Sequence, residues 1–199
     1  MGLFEEAIKS CDEILKMDTS NMITSDKHVS QTIVRVLWNK KKSLRSLYRQ
    51  KEDEIEKKIG KDEFESKNIS EFPELESFLM KELECVDKVL EIGDKMEKQR
   101  AIAEKGNVLG MLERYEESNL FLEQVEKTNE KKYLFSLLFK STNYNAMKKV
   151  EEEKKIDNEI ISICDKKLKE NDSDLFYLDV KQKTLEGMED KEAAYECLK

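Results

Sequence analysis

Proline and glycine are scarce in this chain: its 199 residues hold one Pro and six Gly. A sheet protein joined by tight turns needs far more of both, so strands are a poor expectation from the start. Histidine is almost missing too, and a catalytic triad built on that residue would have to use His28. No Ser or Cys near it sits in a nucleophile motif, so His28 reads as part of a polar linker. The four cysteines, Cys11, Cys85, Cys164 and Cys197, contain no close pair. That spacing argues against a zinc site and a disulfide framework and fits a reducing compartment. The longest apolar run, Tyr133 to Phe139, is broken by Ser136 and falls far short of the ~20 residues of a spanning helix. Glu5 and Glu6 stand where a secretory signal would be basic. The expectation is a cytoplasmic chain without membrane contact. Net positive charge is also lacking: the formal value is -8, which would repel DNA or RNA, so nucleic acid is not an expected partner.

What is present suits helices. Charged residues make up 40% of the chain, against a norm of about 25%. Leu, Ile, Val and Phe supply about a quarter of the residues, enough to keep so charged a chain folded. The composition predicts an all-α protein with solvated faces, in a single domain spanning 1–199.

The apolar positions recur in a shared register. Phe4, Ala7, Cys11 and Ile14 follow one another at steps of 3, 4 and 3, as do Tyr115, Ser118, Leu122 and Val125. The same steps return at Ile160 and Cys164, and at Lys191, Ala194 and Leu198. Taking the small residue of each second helix as the marker, Ser118 to Ile160 is 42 residues and Ile160 to Ala194 is 34. Glu82 occupies the equivalent place 36 residues before Ser118. The pattern predicts first helices at about 29–58, 97–111, 131–142 and 174–187. Second helices are expected at about 2–17, 74–92, 114–127, 146–169 and from 190 onward. The stretch 22–96 departs from the register. It is read as one unit with greatly lengthened helices, because nothing between Thr32 and Glu56 stops a helix and Gly60 to Pro73 supplies the break.

Gly106-Asn-Val-Leu-Gly-Met-Leu-Glu-Arg-Tyr-Glu-Glu-Ser118 is the most informative segment. Gly106 sits where a neighbouring helix must come close, a polar turn follows at Glu113 and Arg114, and Tyr115 opens the next helix nine residues later. This pattern resembles the tetratricopeptide repeat, two antiparallel helices in about 34 residues. Ala7 and Ala194 match the alanine of the second helix. Leu122 and Cys11 stand in place of its aromatic, and Glu130 and Thr19 in place of the closing proline. The resemblance implies an α-solenoid of antiparallel helix pairs. Such a protein binds a protein or peptide segment in a concave groove lined by first helices and carries no catalytic residues, metal or cofactor. Here that lining would be Asn39, Lys42, Arg100, Ala103, Asn107, Met111, Phe176, Asp179 and Lys183, with Ser46, Leu137 and Ser141 beside them. Some members clamp acidic C-terminal tails with Lys and Asn, but Asn107 stands where that clamp wants a Lys.

The other candidate residues have plainer readings. All four cysteines fall within one residue of the same repeat position, which points to packing. Glu116 and Glu117 point in different directions on a helix, and the run 151–155 lacks the spacing of a calcium loop. Lys40, Lys41, Lys42, Arg45, Arg49 and Lys51 form a basic cluster beside Trp38 and Tyr48, which Glu52, Asp53, Glu54 and Glu56 are expected to balance along the same helix. An acidic partner is the functional reading of that cluster. At the two ends, Phe4, Ala7, Ile8 and Cys11, and Tyr195 and Leu198, are expected to face water. That exposure suggests self-association through terminal helices, or an assembly contact by the long charged helix, as the alternative to a scaffold or adaptor role.

Overall fold

The computed structural model describes residues 2–16 and 27–188. Nine α-helices appear among them: α1 (Gly2–Lys16), α2 (Lys27–Ile59), α3 (Lys61–Glu65), α4 (Pro73–Ile92), α5 (Lys95–Met111), α6 (Tyr115–Leu122), α7 (Glu130–Ala146), α8 (Val150–Glu170) and α9 (Leu175–Gly187). A single 3-10 turn, Ile69–Glu71, lies between α3 and α4. No strand occurs among the described residues, and none of their helices is long and apolar enough to cross a membrane. The predicted helix from 190 onward, with Lys191, Ala194, Tyr195 and Leu198, and the turn at Met17 to Asn21, lie outside the described residues, as does Cys197.

Local chemistry accounts for where the helices start and stop. Asp94, Asn129 and Asp174 each accept a hydrogen bond from a backbone N–H in the first turn of α5, α7 and α9, at 3.0, 3.2 and 3.0 Å. Those side chains satisfy amide groups that have no partner inside the helix. Pro73 opens α4, where its missing N–H costs nothing. Gly60, at φ +91°, turns the chain between α2 and α3 in a conformation side chains disfavour. Nothing interrupts Lys27 to Ile59, and α2 is one helix of 33 residues, about 50 Å long. The interval 27–92 thus holds the long α2, the short α3, the 3-10 turn and α4.

Two turns share the same backbone geometry. Glu113 and Lys148 adopt φ of 60° and 57°. The N–H groups of Glu113 and Arg114 donate to the carbonyls of Gly110 and Leu109, and those of Lys148 and Lys149 to the carbonyls of Asn145 and Tyr144. Each is a left-handed helix termination that turns the chain into the following helix. They stand 35 residues apart, from 113 to 148. α9 is capped by Met188, 41 residues after the Met147 cap of α7, with a similar cap conformation. That interval spans α8, a helix of 21 residues, and α9.

The chain divides into two compact units, 1–121 and 122–199. In the first, substantial helix contacts run between α1 and α2, α2 and α4, and α4 and α5. Ile33, Val34, Leu37, Trp38 and Leu44 of α2 pack with Cys85, Val86 and Val89 of α4 and with Ala101 of α5. A second cluster joins Tyr48 to Leu75, Leu79, Leu83, Val108, Leu109 and Leu112. Full burial of each such aliphatic side chain contributes about 1.5–3 kcal/mol. The apolar face of α1 does not meet water as the sequence suggested. Cys11 is buried, Ile8 and Leu15 pack against the α2 cluster, and Phe4 and Ala7 are half-buried. α2 supplies the partner surface that a bare terminal helix would lack. Leu3 and Ile14 remain outside, at 82% and 38% exposure.

The close approach expected at Gly106 is present. Ser118 of α6 is buried, and its hydroxyl donates to the Gly106 carbonyl at 2.6 Å. In the second unit α8 packs on both α7 and α9. Leu134 and Leu137, Ile156, Ile160 and Cys164, and Tyr177 and Val180 form its core. Cys11, Cys85 and Cys164 are all buried, the packing role their register predicted.

Candidate functional site

A cleft of about 1140 Å³ opens between α2 and α5 within the first unit. Its α2 wall runs from His28 to Arg49, its α5 wall carries Met96, Glu97, Arg100 and Glu104, and Ile92, Gly93 and Asp94 close one side. Helical periodicity explains which α2 residues line it. Arg35, Trp38, Lys42, Arg45 and Arg49 recur at steps of 3, 4, 3 and 4, so they share one face, while Ile33, Leu37 and Leu44 turn into the core and Trp38 and Val34 border both. His28 lies in the first turn of α2, not in a linker.

The cleft is held open by polar contacts that tie its walls together. Trp38 Nε1 donates to Glu97 Oε2 at 2.6 Å, and the Arg100 guanidinium lies 4.1 Å from the centre of the Trp38 ring. Lys41 Nζ is 2.6 Å from Glu104 Oε2 and 3.7 Å from Glu82 Oε2. Behind them Glu82 of α4, fully buried, accepts from Arg45 Nε at 2.8 Å and from Nη2 at 2.8 Å. A two-pronged guanidinium–carboxylate contact fixes the angle of both side chains as well as their separation. The residue that broke the small-residue register thus serves as the counter-charge under the cleft.

The basic cluster is balanced mainly from other helices. Lys40 pairs with Asp12 of α1 at 2.6 Å, and Lys51 with Glu74 of α4 at 3.1 Å. Within α2 itself only Lys51 with Glu54, at 3.4 Å, follows the expected intrahelical pattern, while Glu52 accepts from the Tyr48 hydroxyl. Of the cleft cations, Arg35, Lys42 and Arg49 form no ion pair or side-chain hydrogen bond among the described residues, and Arg100 meets only the Trp38 ring.

Asn39, Lys42 and Arg100, predicted as groove residues, come together here with Ser46. Ala103, Asn107 and Met111 do not line the cleft, and Met111 packs against the second apolar cluster. Phe176, Asp179 and Lys183 belong to α9 in the second unit, where Phe176 lies edge-on to Phe135 and Tyr177, and Asp179 pairs with Lys183 at 2.9 Å. Leu137 is buried and Ser141 donates to Asp157 at 2.6 Å. Sequence reasoning passed over Arg35 and the partners Glu97 and Glu104. The seven-residue interval linking 35, 42 and 49 was the available signal.

The cleft lining presents cations, amides and hydroxyls, with Glu97 and Glu104 already engaged by Trp38 and Lys41. Among the described residues no group of His, Cys, Asp and Glu is arranged to hold a metal ion. Burial pushes the Cys85 thiol up to about 11 and raises that of Cys11, so neither is an activated nucleophile. No family model, curated protein or solved structure matches the chain.

Proposed function

We propose that this chain is a non-catalytic protein-interaction scaffold, built of tetratricopeptide-like helix pairs, that holds a segment of another protein in the cleft between α2 and α5. The observation that carries this reading is the cleft itself, in which first-helix residues Asn39, Lys42 and Arg100 face one another across a volume of about 1140 Å³. Two further features support the repeat. Within each unit helix contacts link successive long helices, as in stacked units, and the terminations at 113 and 148 are 35 residues apart. A mixed lining of charge, amide and indole favours a polypeptide over a compact metabolite. The reading includes a location in the cytoplasm.

Photo-crosslinking tests it. A crosslinking amino acid at Asn39, compared with one at exposed Thr142, should trap a defined partner from the cleft position alone. The trapped segment, made as a peptide, should bind the purified chain and lose affinity when Lys42 is reversed to Glu. Equal trapping at both positions would sink the proposal.

A second reading is favoured by Leu3 and Ile14, which stay exposed and lie 11 residues apart, three turns along one side of α1. They would form a contact between copies of the chain. Light scattering that gives a monomer at 100 micromolar for both the native chain and Leu3→Glu would discard it.

A further inference from the structure

We propose that the segment taken by the α2–α5 cleft is acidic and is recognised through its side chains along a line of cations, with no need for a free chain end. The inference rests on the interaction reading above and adds the chemistry of the ligand. Arg35, Lys42 and Arg49 are spaced by seven residues on α2, which places their Cα atoms about 10.5 Å apart on nearly the same side. Arg100 faces them from α5.

The local charge balance is what makes this line available. Glu104 is engaged by Lys41, Glu97 by Trp38, and Asp94 by the backbone at the start of α5. Glu82 lies below and holds Arg45. Arg35, Lys42 and Arg49 have no carboxylate in ion-pair contact among the described residues, and Arg49 alone is drawn on at longer range by Glu52, so the line faces the cleft with most of its charge available. The whole chain carries -8, and a cationic strip set in an anionic surface focuses acidic ligands onto that strip and repels them elsewhere.

The same features disfavour RNA. Stacking of bases requires an open aromatic face. The one indole in the cleft, Trp38, is 8% exposed and covered by Arg100. With no face for base stacking, RNA would be held by its phosphates alone, whereas acidic side chains on a peptide use the guanidinium groups fully. A step of about 10 Å corresponds to one turn of polyproline II chain, three residues at about 3.1 Å each, so Asp or Glu at every third position would meet successive cations from one side.

Selection from a random twelve-residue peptide display library on the full chain, with Arg35→Glu/Lys42→Glu/Arg49→Glu as the counter-selecting variant, tests this. Circular dichroism should show the variant folded, and Arg35→Gln/Lys42→Gln/Arg49→Gln replaces it otherwise. The expected winners are rich in Asp and Glu. Acetylated and amidated, they should bind by calorimetry, weaken at least tenfold on the variant, and weaken about tenfold between 50 and 300 mM salt. Winners that are neutral or apolar, and are displaced by Asn39→Phe, would overturn the acidic inference and leave the cleft reading standing. Winners indifferent to every cleft substitution would overturn both. A twenty-nucleotide RNA that binds more tightly than the best peptide, and is lost on the same variant, would also overturn it.

Discussion

The Arg45 guanidinium and the Glu82 carboxylate, 37 residues apart in sequence, meet through Nε–Oε1 and Nη2–Oε2 contacts of 2.8 Å each, with Glu82 shut off from water. A buried pair of this kind costs desolvation on both sides, and breaking it from one side strands the other charge. Glu82→Gln should therefore lower unfolding free energy by about 3–5 kcal/mol in urea denaturation. The double replacement Arg45→Met/Glu82→Leu should recover most of that loss. A Glu82→Gln protein as stable as the native chain would show that Arg45 keeps its charge solvated without this partner.

The hydroxyl of Ser118 and the carbonyl of Gly106 fasten α6 to α5. Ser118→Ala removes this bond and little volume, so it should cost about 1 kcal/mol. Ser118→Leu should cost clearly more, because the side chain at this position is wholly enclosed. Thermal unfolding of the two variants side by side ranks the effects.

Alkali should unfold the chain through its buried thiol and phenols. Burial raises Cys85 to about 11 and raises Tyr48 and Tyr177 as well. Folding favours the neutral thiol, so this contribution is fully present below the unfolded value of about 8.5 and is lost as pH rises toward the folded one. The loss should reach roughly 2–3 kcal/mol for Cys85. Cys85→Ala should show a shallower decline of stability between pH 8.5 and 11. At pH 8 the native chain should also shield Cys11, Cys85 and Cys164 from a thiol reagent that modifies them rapidly in urea.

Gln50 carries a buried Oε1 with no hydrogen-bond partner. Replacing an unsatisfied polar atom by an apolar one of similar length removes a desolvation cost. Gln50→Met is expected to raise stability by about 1 kcal/mol, read from the urea midpoint. An unchanged midpoint would mean that the amide finds water in solution.

The helices were legible in the sequence because their signals are local. Asp174 before Leu175, the lack of a break from Thr32 to Glu56, and the Gly106 to Tyr115 turn each act within a few residues. The cleft was legible in part. Asn39, Lys42 and Arg100 followed from helix register, but the role of Glu82 did not. A carboxylate on an otherwise apolar face reads as an erosion of the pattern until its partner, 37 residues upstream, is brought under it by tertiary packing. The covering of α1 was hidden for a related reason. Residues such as Ile8 and Leu15 look unpaired along the chain, and only the placement of α2 reveals what they pack against. Of the other groove residues, Met111 and Phe176 each pack against an apolar cluster of their own unit, a contact that the repeat register does not reveal.

Trp38 is the single tryptophan of the chain, and it lies in the cleft with Arg100 on its ring and Glu97 on its indole nitrogen. Intrinsic fluorescence excited at the indole band is therefore a site-specific optical probe that needs no label. Displacement of Arg100 by a ligand, or rupture of the bond to Glu97, changes the polarity around one emitter, and the emission maximum reports that change without background from any other part of the molecule.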